Sequence, residues 1–479
     1  MSTSQGPLEH KPRTLILCFD GTSNEYDADN TNVVKLFALL KKDYEEQLCY
    51  YQAGVGTYFE PGIVSPLFEW GAKVLDLAFA WYLDTHVTDG YKFLMQNYRI
   101  GDKICIFGFS RGAYTARALG GLLYKVGLLP RDNEAQVPFA YRMYKRTDAE
   151  GIRLCAGFKQ TYCQTVKIEF MGVWDTVASV GVVAGRTLPF TNSNSSIKTF
   201  RHALSLDERR VKFLPNNYHR PSPNHEAAKK DPEHASSPAM PVLTVEHAPP
   251  SPKGKNTAKD EKKTKRNSVV SAGSSSSSEA DVPRAARWGF FGRGMTMKVK
   301  EAGKYVSPTA VQGEDDGECD DVLEVWFAGC HSDVGGGAVT NETENCLANL
   351  SLRWMVREIE ASDCAVKWDL EALARANIDL SPEPTASELD LDETDTVQPL
   401  HDALVTTKLW WILEILPLST TWQDANGVWH TNRGFHLGKG RKIVDPQPNF
   451  HLSVQKRMAS PLKYSPKAQW TAGTEVYLH

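Results

Sequence analysis

The residues best placed to do chemistry are a serine, an aspartate and a histidine, each just past an apolar run. Ser110 stands in Gly108-Phe109-Ser110-Arg111-Gly112, a G-x-S-x-G pattern that follows KICIF at Lys103 to Phe107 and precedes the helix formers Ala113 to Leu122. On a tight strand-to-helix turn such a serine is exposed at the sheet edge, and the helix N-terminus lies under negative charge developing beside it. Ser110 is therefore the candidate nucleophile, and the Arg111 N–H a candidate oxyanion donor. A serine needs a base, and the base needs an orienting acid. Asp175 follows the run Glu169 to Val173, and His331 follows Val325 to Phe327 and opens His331-Ser332-Asp333-Val334-Gly335-Gly336-Gly337. Asp333 competes with Asp175 for the acid role, or holds its own loop through an Asx turn. Asp175 is preferred because adjacent strand ends can bring it to His331. His401-Asp402 is a second neighbour pair and reads as structural, since adjacent residues do not usually face each other.

A further polar loop, Asp20-Gly21-Thr22, ends the first apolar run, TLILCF at Thr14 to Phe19. Its place after an early strand makes the Gly21 or Thr22 N–H the second candidate oxyanion donor, with Asp20 fixing the loop. A phosphatase of the haloacid dehalogenase type would need D-x-D-G-T here, and Cys18 stands where the first aspartate must be. Asp20, Asp175, His331 and Asp333 have no diagnostic metal-ligand spacing, so neither a metal nor a cofactor is expected.

The elements that would position these groups alternate between short buried strands and helices. Strands are expected at Thr14 to Phe19, Leu48 to Gln52, Lys103 to Phe107, Val166 to Val173 and Val322 to Phe327, and helices at Asn32 to Leu40, Val87 to Tyr98, Ala113 to Leu122 and Leu347 to Glu360. Continuous apolar strands and repeated strand–helix alternation predict an α/β fold with a mostly parallel sheet covered on both faces. Residues 381 to 398 are acidic and read as a loop. Two aromatic-rich stretches, Ile63 to Leu83 and Leu409 to Leu418, would in a lipase form a lid or an acyl pocket that contacts a bilayer surface, although helix packing on the sheet is the simpler account of both.

Composition narrows the classes. The 479 residues carry 54 Lys+Arg against 58 Asp+Glu, a net charge of −4, which provides no global positive field for nucleic acid. The nine cysteines show neither CxxC spacing nor a disulfide framework, and residues 1–13 lack the apolar core of a signal peptide, so a reducing, cytoplasmic setting is expected. From 221 to 284 the chain is dominated by Pro, Ser, Lys, Ala and Glu with almost no aromatics, the composition of a disordered insertion. The expected organisation is a flexible terminus at 1–13 and one domain built from 14–220 and 285–479.

Taken together, Phe19-Asp20-Gly21-Thr22, Gly54-Val55-Gly56-Thr57, the Ser110 motif, Gly172-Val173-Trp174-Asp175-Thr176-Val177 and the His331 motif resemble the α/β-hydrolase domain of type VI secretion phospholipase effectors and their relatives, fungal ones included. The resemblance spans roughly residues 15–216 and 320–417. It implies a lipase-like fold with Ser110 as nucleophile, Asp175 as acid and His331 as base, acting on an acyl ester of a lipid-like substrate, and it is compatible with a peripheral membrane contact. The competing expectation is a catalytically silent interaction protein on the same scaffold.

Overall fold

The computed structural model describes residues 11–21, 24, 26–54, 68–177, 188, 195–218, 319, 321–381, 383–423 and 429–479; the side chains of 68–82, 419–423, 429 and 431 are not described. All lie in one compact unit built from the chain on both sides of residues 228–304. The insertion expected at 221–284 lies outside the described residues.

The strands are β1 (Thr14–Phe19), β2 (Gln47–Gln52), β3 (Lys103–Phe109), β4 (Ile168–Trp174), β5 (Ile197–Ser205), β6 (Asp321–Phe327), a separate hairpin of β7 (Leu418–Gln423) and β8 (Trp429–Gly434), then β9 (Asn449–His451) and β10 (Val476–Leu478). Eight of them form one sheet in the order β10-β9-β6-β5-β4-β3-β1-β2. Every pairing in it is parallel. The helices are α1 (Asn32–Leu39), α2 (Phe68–Asn97), α3 (Ser110–Val126), α4 (Val137–Lys145), α5 (Ala149–Tyr162), α6 (His331–Gly335), α7 (Leu347–Ala361), α8 (Leu370–Arg375), α9 (Ala386–Thr396), α10 (Ala403–Thr406), α11 (Trp411–Glu414) and α12 (Leu452–Ala459).

Two apolar layers explain why the strands read as unbroken hydrophobic runs. Leu15, Leu17 and Phe19 of β1 and Ile104 and Ile106 of β3 join the core under α2 to α5, while Ile16, Cys18, Cys105, Phe107 and Phe109 join the core under α1 and α7. Successive side chains point to opposite faces, so a strand covered on both must be apolar throughout. β1 and β3 are neighbours, and the connection leaving β1 runs to β2 on one side while the connection leaving β3 runs to β4 on the other. The carboxyl ends of β1 and β3 flank that reversal, where open α/β sheets form a crevice.

Three expectations change. The acidic 381–398 segment contains helix α9. Thr385 accepts from Glu388 N–H at its start, Glu388 reaches back to Thr385 N–H, and Asp392 and Asp395 pair with Arg353 of α7 at 2.5 and 2.6 Å. Its acids answer a buried arginine, which composition does not reveal. The Leu409 to Leu418 stretch does not pack on the sheet as a helix: it is a single 3₁₀ turn followed by one-turn α11, and Leu409, Trp411, Ile412 and Ile415 are exposed. Arg13, placed in the flexible terminus, is buried and binds the Asp102 carboxylate at 2.8 Å. Residues 1–10 lie outside the described residues.

Candidate active site

The turn from β3 into α3 places Ser110 at the first position of the helix with φ +58°, a left-handed conformation that non-glycine residues rarely adopt. Gly112 makes this turn possible, because a Cβ there would lie 2.3 Å from the Phe19 and Asp20 carbonyl oxygens. The elbow is pressed against the end of β1. Arg111 follows in the first turn of α3, at the positive end of the helix dipole.

Asp175 ends β4 with a second left-handed backbone, φ +38°, and has no solvent exposure. Its Oδ2 lies 2.5 Å from His331 Nδ1, and its Oδ1 accepts the Ser205 N–H at 3.0 Å. His331 opens α6, separated from the end of β6 by the three residues Ala328 to Cys330, and its ring packs between Phe109 at 4.6 Å and Phe213 at 4.8 Å. Gly335, one helical turn on, permits this approach, because a Cβ there would overlap the Phe109 ring. Burial lowers the imidazole below the ordinary histidine value against the pull of Asp175. Burial would raise the Asp175 carboxyl, but the Arg441 guanidinium and His331 outweigh it and hold it well below the usual carboxylate range. Among the described residues no hydrogen bond joins Ser110 to His331.

A family model for the catalytic domain of Tle1-like type VI secretion phospholipase effectors matches residues 13–358. The chain belongs to this family. That places it among hydrolases of the phospholipase and esterase type. It is also similar to the uncharacterized protein YEL023C of Saccharomyces cerevisiae, 28% identical over 97% of this chain and 82% of the relative. Among solved structures, an uncharacterized protein from Pseudomonas aeruginosa aligns over 83% of this chain and 53% of its own at 16% identity and TM-score 0.34. The Tle1 effector bound to the VgrG spike aligns over 44% and 48% at 20% identity and TM-score 0.24. The chain thus spans about half the length of each of these two structures.

Within the Tle1-like region, Asp333 turns away from His331: its Oδ1 lies 2.7 Å from His401 Nδ1, and its Oδ2 accepts the His401 and Cys330 N–H groups at 2.9 Å. His401 and Asp402 do not face each other, and Asp402 accepts from Arg209 Nε at 2.9 Å. Asp20 is buried at the end of β1. It accepts from Tyr51 Oη at 2.8 Å, Thr31 Oγ1 at 2.9 Å and Gly21 N–H at 2.7 Å. The Gly21 N–H, one of the candidate oxyanion donors, is thereby directed to the Asp20 carboxylate; the other, Thr22, lies outside the described residues. Burial pushes Asp20 up to about 6, against the lowering effect of its three donors. Among the described residues no cluster of His, Cys, Asp and Glu could hold a metal.

Sequence reasoning missed the groups that surround the Asp175–His331 pair. Arg441, beyond the matched residues, forks onto Asp175 with Nη1–Oδ1 at 2.5 Å and Nη2–Oδ2 at 2.9 Å. Glu208 accepts the His331 N–H at 3.3 Å and pairs with Arg210 at 2.8 Å. Arg210 in turn covers the Phe213 ring, 3.6 Å from its centroid. An isolated arginine in Gly438-Lys439-Gly440-Arg441 carries no local signal of a partner 266 positions away.

Proposed function

We propose that this chain is a serine hydrolase that cleaves an acyl ester of a lipid-like substrate, with Ser110, Asp175 and His331 as its triad and residues 14–220 and 285–479 as one hydrolase domain. The observation that carries the reading is the buried 2.5 Å contact between Asp175 and His331 at two strand ends beside a serine held in a left-handed elbow. In this mechanism the Asp175 carboxylate holds His331 with Nδ1 protonated, leaving Nε2 to take the Ser110 proton as Oγ attacks the ester carbonyl. The Arg111 N–H donates to the tetrahedral oxyanion, and the Thr22 N–H is its second proposed donor, since the Gly21 N–H is taken by Asp20. The alcohol leaves with the proton from His331, and water releases the acyl group by the same route.

The lipid-like substrate is supported by the family and by the surface near the site. Trp410 packs on Phe213 at 5.6 Å, and Phe213 packs on His331. Next to Trp410 the exposed Leu409, Trp411, Ile412 and Ile415, with Phe435 and Leu437 beyond β8, are flanked by exposed Lys408, Arg433 and Lys439. Apolar side chains with a cationic rim suit peripheral contact with a lipid surface. Among the described residues no helix is long and apolar enough to cross a membrane.

Two observations favour a second reading, a silent binding scaffold: the Gly21 N–H is directed to Asp20, and Ser110 lacks a bond to His331. Labelling with a fluorophosphonate probe, with the site mapped by mass spectrometry, separates the two. The hydrolase reading expects modification of Ser110 that is lost in Ser110→Ala and falls by several orders of magnitude in His331→Ala. Folded wild-type protein that takes no label would establish the scaffold reading instead.

A further inference from the structure

Arg441 supplies what a fully buried carboxylate lacks. A carboxylate taken out of water is stable as an anion only when its charge is matched and its lone pairs are filled. The Arg441 fork does both at once, and with Ser205 N–H and His331 each Asp175 oxygen has two partners. Arg441 is itself buried, and it also donates to the Ser205 carbonyl at 3.0 Å, to Ser205 Oγ at 2.7 Å and to the Phe213 carbonyl at 2.5 Å. One guanidinium therefore fixes the acid and the segment that carries an aromatic wall of the imidazole. Its own position is set by the Gln469 N–H, which donates to the Arg441 carbonyl at 2.7 Å.

The electrostatic consequence follows from a census of the charges around His331. Asp175 at the end of β4 is matched by Arg441. Glu208 after β5 is matched by Arg210. On the same helix Asp333 is engaged by His401, and Asp207 accepts from Tyr464, Gly329 N–H and Lys467 N–H. Asp175, which touches the imidazole, and Glu208, which accepts the His331 main-chain N–H, each have an arginine partner, so little net negative charge remains to stabilise an imidazolium.

We propose that Arg441 is a positioning residue of this site: by forking onto the Asp175 carboxylate it offsets that charge toward His331, and so sets the pH above which the imidazole can accept the serine proton. The protonation behaviour of His331 depends on geometry alone; its consequence for rate rests on the hydrolase reading.

The test is the titration of His331, followed by NMR in histidine-labelled full-length protein and assigned with His331→Gln. In the wild type His331 should titrate below the ordinary value of about 6.5. In Arg441→Gln, Asp175 acts on the imidazole without its counter-ion, and the titration should move up by about one pH unit or more. Arg441→Lys, which keeps a point charge without the fork, should fall between them. The fluorophosphonate labelling rate at Ser110 should show its acid limb displaced by the same amount, so that below the limb Arg441→Gln reacts about tenfold slower relative to its own plateau. A purely structural role would lower the plateau and leave the limb in place. The proposal is overturned by a wild-type His331 that titrates at or above 6.5, a measurement that needs no variant, or by folded Arg441→Gln that titrates with the wild type. Absence of Ser110 labelling in wild type whose His331 shifts as expected supports the charge coupling and removes the hydrolase reading.

Discussion

Two buried aspartates end parallel strands on the same edge of the sheet, and their surroundings pull them in opposite directions. Asp20, after β1, is met only by neutral donors: two hydroxyls and one amide. Asp175, after β4, is met by a guanidinium and an imidazole. Burial pushes both carboxyls up; Asp20 rises to about 6, whereas Asp175 is held below its ordinary range. Depth alone therefore does not decide the state of a strand-end carboxylate. The charge of the partner does, and the chain places a forked, fully buried arginine at the carboxylate that touches the histidine.

The contrast is broken most severely by Asp175→Asn. This removes the charge that orients His331 and strands Arg441 in the core, so the labelling rate should fall by about 10³ to 10⁴. Stability in a denaturant titration should fall by about 3 to 5 kcal/mol. An Asn variant labelled at the wild-type rate would exclude Asp175 as the acid.

Replacing both partners, Asp175→Leu with Arg441→Met, separates fold from chemistry. A buried ion pair exchanged for apolar side chains is often neutral, so stability should recover most of what the single Asn variant loses while labelling stays at background. Stability no better than that of the single variant would mean the pair holds the fold together and not only the site.

Asp20→Asn sharpens the comparison from the other side with a smaller effect. The Asp20 carboxyl is raised from 3.8 to about 6, so between those values the folded state keeps a proton that the unfolded chain has released. Its contribution to stability is complete below the unfolded value and is lost as pH rises through about 6. Asparagine has no such dependence. The stability of Asp20→Asn relative to wild type should therefore improve between pH of about 4.5 and about 7.5, by on the order of 2 kcal/mol. Thermal melts at the two pH values with a constant difference would show that Asp20 does not titrate in this range. Asp175 has the opposite sign: its contribution is present above 3.8 and is lost only as pH falls below it.

What the sequence made legible follows from the same physics. β1, β3, β4 and β6 are readable because a parallel strand covered on both faces must be apolar along its length. Ser110, Asp175 and His331 are readable because each follows such a run. β5 is harder to see: it carries Arg201 and His202, which are tolerated because Asp321, Glu358 and Glu324 meet them from β6 and α7. α9 is hidden by its acids, and β9 and β10 are only three residues long. Arg441 is hidden for a stronger reason. A single arginine has no period or spacing, and its meaning lies wholly in a carboxylate far away in the chain.

That distance also orders events during synthesis. The serine, the aspartate and the histidine all leave the ribosome before Arg441, which follows Ser110 by on the order of tens of seconds at ordinary translation rates. Until then the Asp175 carboxylate has no counter-ion to bury with it, and the strand ends around it cannot close dry. A nascent chain of this protein carries the residues of its proposed triad early and completes their electrostatic setting late.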